Sequence, residues 1–369
     1  MEKKAFEILI KQYSNKLPFV VFRKPHSTVI TTYLQHNTEV YTTENFTETG
    51  FVFAPFNLEN KAVLIPEQAA EIRVFEWGNI AEEKQVISSN FMSDLPKKMH
   101  LALVQKGIDT INAGKLTKIV LSRTEEIEFS GANPLSLFNN LVQAYQDAFV
   151  YCWYHPKIGL WLGATPEILL TTQGTRFSTM SLAGTKPYEG SLQVHWSQKE
   201  ITEQQIVTDY IVNGLKSLTT TLSVQGPKTV KAGNVVHLQT QISGILKTFS
   251  MKGIIQLLHP TPAVCGFPKE DAKQFILQNE GYNREYYTGF LGELNIKVET
   301  SRNRNKHNIE NNAYTIVKQI SNLFVNLRCV QLKENKAMLY VGGGITSESN
   351  PEHEWEETIQ KSTTIKSCL

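Results

Sequence analysis

The chain has 369 residues, with 37 basic against 35 acidic side chains and a formal charge of +2. That balance gives no broad basic field for nucleic acid or for an anionic membrane, so the expected partner is a small molecule. No run of about twenty apolar residues occurs, no continuous apolar stretch of signal length follows Met1 to Glu7, and Cys152, Cys265, Cys329 and Cys368 are scattered. These features predict a soluble cytoplasmic protein without a disulfide framework, and a zinc site has little support.

No Pro/Gly/Ser linker, charge block or solenoid repeat divides the chain, which favours one large core. Residues 1–94 read as a strand-rich part of the same domain, with Phe19 to Phe22, Phe51 to Phe53 and Ala62 to Ile65 as its clearest apolar runs. Residues 95–369 carry the chemical motifs. Leu101, Val104, Ile108 and Ile111 recur at helical spacing between Pro96 and Asn112, and Gly114 is placed to end that helix. A strand over Lys118 to Arg123 follows.

Further helices are expected over Pro134 to Tyr145, Ser197 to Leu218 and Lys269 to Gln278. Strands are expected over Val150 to Tyr154, Gly159 to Leu162, Ile168 to Thr171, Val235 to Ile245, Phe290 to Lys297, Leu323 to Leu332 and Ala337 to Val341. Strands neighbour strands too often for a βαβ winding, so the pattern predicts α+β with mainly antiparallel sheets. Gly342-Gly343-Gly344 does not supply a dinucleotide fingerprint, because its spacing is wrong and Ile345-Thr346-Ser347 follows instead of a helix.

The closing segment after Pro351 places Glu354, Glu357 and Lys361 on one helical face, downstream of the three glycines. Taken alone, Glu357 and Lys361 are an ordinary solvated i, i+4 pair. A second Glu-x-x-Glu, Glu200 and Glu203, opens the helix near Ser197, and two such pairs meeting across a cleft would suit one hard cation such as magnesium. Lys118 in a strand is ordinarily a solvated edge residue, and Glu167 beside the turn Gly163 to Pro166 is equally ordinary in isolation. They acquire weight alongside Ser181-Leu182-Ala183-Gly184-Thr185, His237-Leu238-Gln239-Thr240 and His259-Pro260-Thr261-Pro262-Ala263-Val264-Cys265-Gly266.

From about Leu95 to the end, these motifs in this order resemble the chorismate-utilising enzymes, the group of isochorismate, salicylate, anthranilate and aminodeoxychorismate synthases, and most of all isochorismate synthase. The resemblance implies the two-lobed anthranilate synthase component I-like fold, with two central, mainly antiparallel sheets, helices outside and a deep cleft. It implies that Lys118 activates water for addition at C2 of chorismate, while Glu167 protonates the departing C4 hydroxyl. Arg123 or Arg328 could lower the lysine's pKa, and a closed apolar cleft would raise the glutamate's.

By the same resemblance Glu200, Glu203, Glu354 and Glu357 are the Mg2+ carboxylates, with Glu203 and Glu357 the direct ligands. Leu182, Gly184, Thr185, His237, Ala263, Arg328, Gly342, Gly343, Gly344 and Lys361 match substrate positions. A strand histidine such as His237 is otherwise more often structural. The sequence departs from the group at Gln204, Gly343 and Gln360, where histidine, alanine and asparagine are common, and its N-terminal region matches poorly. The expected protein is a monomeric isomerase, with no nucleic-acid or membrane partner, supplying menaquinone or siderophore biosynthesis. Salicylate synthase, which goes on to eliminate pyruvate, and a noncatalytic chorismate- or metal-binding module are the alternatives.

Overall fold

The computed structural model describes residues 3–78, 94–129, 133–233, 235–301 and 315–369. Its strands, in chain order, begin with β1 (Phe19–Arg23), β2 (Val29–Gln35), β3 (Tyr41–Thr43), β4 (Gly50–Ala54), β5 (Ala62–Pro66), β6 (Ala70–Glu76), β7 (Lys118–Glu128), β8 (Phe149–His155) and β9 (Gly159–Thr165). They continue with β10 (Ile168–Gln173), β11 (Arg176–Pro187), β12 (Thr219–Ala232), β13 (Val235–Leu246), β14 (Gly266–Phe267), β15 (Phe290–Ser301), β16 (Thr315–Val325), β17 (Cys329–Lys333) and β18 (Lys336–Ile345). The α-helices are α1 (Lys3–Ser14), α2 (Leu95–Asn112), α3 (Pro134–Ala144), α4 (Gln198–Lys216), α5 (Met251–Leu258), α6 (Lys269–Asn279) and α7 (Pro351–Lys366).

The strands form two nine-stranded sheets, ordered β14-β7-β18-β17-β9-β8-β1-β2-β6 and β12-β13-β11-β10-β16-β15-β4-β5-β3. The pairings are antiparallel, as in β7 with β18 and β15 with β16. Side-chain alternation builds the layers. In β4, Phe51 and Phe53 join the core between the sheets, while Val52 and Ala54 face a second core under α4 and α5. In β8, Phe149, Tyr151 and Trp153 enter the shared core, while Val150 and Cys152 pack with α1 and α3. Phe149 stacks on Phe324 of the opposite sheet with centroids 4.2 Å apart. Burying an aromatic side chain contributes roughly 1.5–3 kcal/mol, so this band of rings holds the two sheets together.

Strands from residues 19–76 pair into both sheets, β1 with β8 and β4 with β15. The segment 79–93, just before the 94/95 division expected from the sequence, lies outside the described residues. The run Leu323 to Leu332 is not one strand. It divides into β16 and β17, which belong to different sheets, and the chain crosses between them at Asn326, Leu327 and Arg328.

Candidate active site

Two crossings between the sheets lie side by side. Pro166 and Glu167 carry the chain from β9 to β10, and Asn326 to Arg328 carry it back from β16 to β17. Val325 N–H donates to the Glu167 carbonyl at 3.0 Å, and Ala164 N–H donates to the Arg328 carbonyl at 3.2 Å. Pro166 has no N–H to continue a ladder, which suits it to a crossing. Arg328 has φ +48°, a left-handed conformation uncommon for a residue with a side chain. The turn before it is fastened by buried Asn326, which accepts from Tyr151 Oη at 2.6 Å and donates to the Tyr286 carbonyl at 2.9 Å.

The crossings open onto a cavity between the sheets. It is lined by Lys118 and Val120 of β7, Leu182, Gly184 and Thr185 of β11, Glu203 of α4, His237 of β13, and Ala263 and Val264. Gly342, Gly343 and Gly344 of β18, Glu357 and Lys361 of α7, and the crossing residues Glu167 and Arg328 also line it. Of the four glutamates expected to hold Mg2+, Glu200 and Glu354 are not on this lining. The Glu200 carboxylate caps its own helix, accepting from Ser197 N–H at 2.7 Å and from Ser197 Oγ at 2.5 Å.

Lys118 is not a solvated edge residue. It is 1% exposed: β14 takes the edge position with Phe267 paired opposite it, and the side chain lies in the cavity between the sheets, against Gly344 and Glu203. Burial pulls its pKa down; Glu203 opposes this, and the cations of Lys361 and Lys199 assist it. Neither Arg123 nor Arg328, the two arginines expected to lower it, is among these neighbours; the Arg123 guanidinium donates to Thr358 Oγ1 at 2.8 Å and lies over Trp355. Glu167 is 4% exposed, and burial pushes its pKa up to about 8 against the pull of Lys118, Arg328 and Lys361. One cavity therefore holds an amine shifted towards its neutral form and a carboxyl shifted towards its protonated form.

The glycine run extends past the end of β17, whose described pairing with β18 stops at Val330 opposite Leu339. Val120 N–H is engaged by the Cys265 carbonyl, so the Val120/Gly344 pair makes no mutual hydrogen bonds and the Gly344 amide turns away from β7. Gly342, two residues earlier, turns the same way, and its carbonyl accepts from Lys361 Nζ at 2.9 Å. The missing Cβ atoms leave room for carboxylates. A Cβ on Gly344 would stand 3.0 Å from Glu203 Oε2, and one on Gly343 would stand 3.2 Å from Glu354 Oε2 and 3.5 Å from Glu357 Oε1.

Three carboxylates thus converge on Gly343 and Gly344, interleaved with lysine side chains. Lys118 Nζ lies 4.0 Å from Glu203, Lys199 Nζ lies 2.5 Å from Glu354, and Lys361 Nζ lies 2.6 Å from Glu357. Among the described residues, no three His, Cys, Asp or Glu side chains stand as a ready-made coordination sphere. The donor set nevertheless suits a hard divalent cation, since it consists of carboxylate oxygens and one of them, Glu354 Oε2, is buried without a hydrogen-bond partner. The nearby Ser349 hydroxyl eases the charge of that carboxylate without meeting Oε2 in hydrogen-bond geometry.

His237 is held at both ring nitrogens. Nε2 lies 2.9 Å from Arg328 Nη2, which can only donate, so Nε2 accepts and the ring proton sits on Nδ1, 2.9 Å from the Gly184 carbonyl. Burial, with Arg328 and Lys361 nearby, pushes the His237 pKa down to about 3. The ring is neutral and orients Arg328. Gln204 joins α4 to the second sheet, donating to Ser181 Oγ at 2.8 Å and Thr240 Oγ1 at 3.1 Å.

The sequence did not single out Lys199 or the buried pair Glu280–Arg284. Arg284 donates to the carbonyls of Val264 and Val120 at 2.9 and 2.8 Å, fastening two segments of the cavity wall. Their only sequence signal is i, i+4 spacing, Lys199 with Glu203 and Glu280 with Arg284, which solvated helices share.

The curated proteins to which the chain is similar include isochorismate synthases. The isochorismate synthase DhbC of Bacillus subtilis is 26% identical over 334 residues, 84% of this chain and 78% of that protein. The isochorismate synthase EntC of Escherichia coli is 30% identical over 265 residues, 68% of this chain. The matched region spans 62% of EntC and, for the E. coli isochorismate synthase MenF, 59% of that protein.

The crystal structure of a putative 2,3-dihydroxybenzoate-specific isochorismate synthase, DhbC from Bacillus anthracis, superposes with a TM-score of 0.77 at 23% identity, covering 98% of this chain and 99% of that one. Anthranilate synthase component I from Streptococcus pneumoniae gives 0.62 at 17% identity, covering 94% and 89%, so the fold is common to both. Enzymes of this group are generally magnesium-dependent. A family profile described as chorismate binding enzyme matches residues 39–300 and a second of the same description matches 316–367, and the chain belongs to the chorismate-binding enzyme family.

Proposed function

We propose that the chain is an isochorismate synthase, converting chorismate reversibly to isochorismate. The observation that carries this reading is the pairing, in one cavity, of buried Lys118, shifted towards the free amine, with buried Glu167, shifted towards the free acid. Water gives a proton to the Lys118 amine as its oxygen bonds to C2, the ring double bonds shift, and the C4–O bond breaks as Glu167 protonates the departing oxygen. Lysine ends charged and glutamate ends ionised. Proton exchange with solvent restores both, and no redox cofactor enters the balance.

Arg328, oriented by His237, and Lys361 supply positive charge for the substrate carboxylates, and the outward Gly342 and Gly344 amides supply N–H donors. Glu203 and Glu357 would hold Mg2+ directly, with Glu354 behind them. When bound, the ion neutralises a substrate carboxylate that the glutamates would otherwise repel. In this reading the chain works as a monomer in the cytoplasm, in keeping with four buried cysteines that form no disulfide.

Incubation of the purified protein with chorismate and Mg2+, followed by chromatographic identification of products, tests the assignment. Isochorismate as the accumulating product is expected, lost in EDTA. Salicylate with pyruvate would reassign the chain to salicylate synthase, and tight chorismate binding without turnover would reassign it to a binding module. The quinone and siderophore profile of a deletion strain then decides between menaquinone and siderophore supply.

A further inference from the structure

The carboxylates of the cavity already contact a cation of the chain's own. Lys199 is the second residue of α4, where the helix dipole disfavours positive charge and a lysine stem would ordinarily point to water. Instead its side chain is only 22% exposed and reaches across to α7, with Nζ 2.5 Å from Glu354 Oε1 and 3.8 Å from Glu203 Oε1. The other oxygen of Glu203 faces Lys118, and the other oxygen of Glu354 is buried and unpartnered.

The Lys199 and Lys361 ammoniums, with the Lys118 amine beside them, therefore face three carboxylates, and a divalent ion entering this group meets repulsion from those two ammoniums. Lys118 is enclosed at 1% exposure, and Lys361 is also hydrogen-bonded to the Gly342 carbonyl. Lys199 is as exposed as Lys361, 22% against 21%, but its contacts are to carboxylates rather than to a strand carbonyl, so it is the ammonium best placed to leave.

We propose that Lys199 is a tethered counterion that competes with the divalent cation for Glu203 and Glu354, so that metal entry displaces its ammonium from α7. The inference rests on reading these carboxylates as the metal site. It assigns Lys199 a positioning role: it keeps buried carboxylates paired before the metal arrives, and it weakens metal binding by the free energy of its own contact.

Calorimetric titration with Mg2+ in the absence of chorismate tests this on the wild type, Lys199→Gln, Lys199→Met and Lys199→Arg. The two neutral variants should bind Mg2+ about tenfold more tightly or better. They should melt below the wild type in EDTA and recover more of their midpoint in saturating Mg2+. Lys199→Arg, which keeps the charge, should stay near the wild type. If the neutral variants fold only with Mg2+ present, that dependence itself supports the counterion role. Unchanged or weaker Mg2+ affinity in Lys199→Gln and Lys199→Met overturns it while leaving the metal site standing. A wild type with no saturable Mg2+ binding overturns the metal site and this inference together.

Discussion

Two buried charge clusters flank β7, and they are built differently. Around Arg284 the charged groups are closely met: Nε and Nη2 bind Glu280, Nη1 and Nη2 bind the Val264 and Val120 carbonyls, and Glu280 Oε1 also accepts from Ser122 N–H and Oγ, both at 2.8 Å. Around Gly343 and Gly344 two of the lysine contacts are long, at 3.8 and 4.0 Å, and Glu354 Oε2 has no partner. The first cluster is closed by its own donors and makes a rigid wall. The second keeps unsaturated oxygens and shifted protons, which a substrate and a cation can complete.

The sharpest way to break this contrast is to remove a partner from the closed cluster. Arg284→Met leaves Glu280 buried without its counterion and should lower stability by about 3–5 kcal/mol, measured by chemical denaturation. A small loss would show that Arg284 is not the fastener of the cavity wall. In the open cluster, Lys118→Met should leave stability unchanged or raised while cutting turnover by on the order of 10²-fold or more, and Glu167→Gln should do the same to turnover. Near-normal rates in either would return that residue to scaffold.

Glu167 also carries a pH signature. Its pKa is raised from 4.5 to about 8 in the folded state, so the folded chain holds a proton that the unfolded chain has lost across that window. Stability should therefore fall as pH rises from about 4.5 to about 8, and turnover needing the protonated acid should decline above about 8. Melting curves of the wild type and Glu167→Gln across this range check the sign: the difference should grow in favour of the variant.

A smaller effect separates ligands from neighbours. Glu203→Gln and Glu357→Gln should each raise the half-saturating Mg2+ concentration by on the order of tenfold, and the double variant should depart from additivity. Glu200→Gln should leave the Mg2+ dependence unchanged and cost only about 1 kcal/mol of helix-cap stability. A magnesium shift in Glu200→Gln, with none in the other two, would exchange their roles.

Much of the scaffold was legible because helical periodicity and continuous apolar runs both report burial. The helices over α2, α3, α4, α6 and α7 and the strands over β1, β4, β5, β8 and β9 carry clean patterns, whereas α1, with Lys3, Lys4 and Lys11 among its twelve residues, and β12, exposed along most of its length, do not. Lys118 shows the limit of pattern reading. β7 is buried over Lys118 to Arg123 on both faces, so alternation there cannot tell inside from outside. The motifs gave the cavity residues, but the division of Leu323 to Leu332 between two sheets could not be seen, because apolar residues continue through a crossing that is fixed by distant hydrogen bonds from Tyr151 and to Tyr286.

The pairing of β4 with β15 has a consequence for how this protein is made. Phe51 to Ala54 emerge from the ribosome roughly 240 residues before the strand that covers them, an interval on the order of 10–50 s at ordinary elongation rates. β1 likewise waits for β8. Throughout that interval the nascent chain carries apolar strands with open edges, stacked only against their local hairpin partners. Productive synthesis of this fold therefore depends on those early strands staying shielded until its last third has been translated.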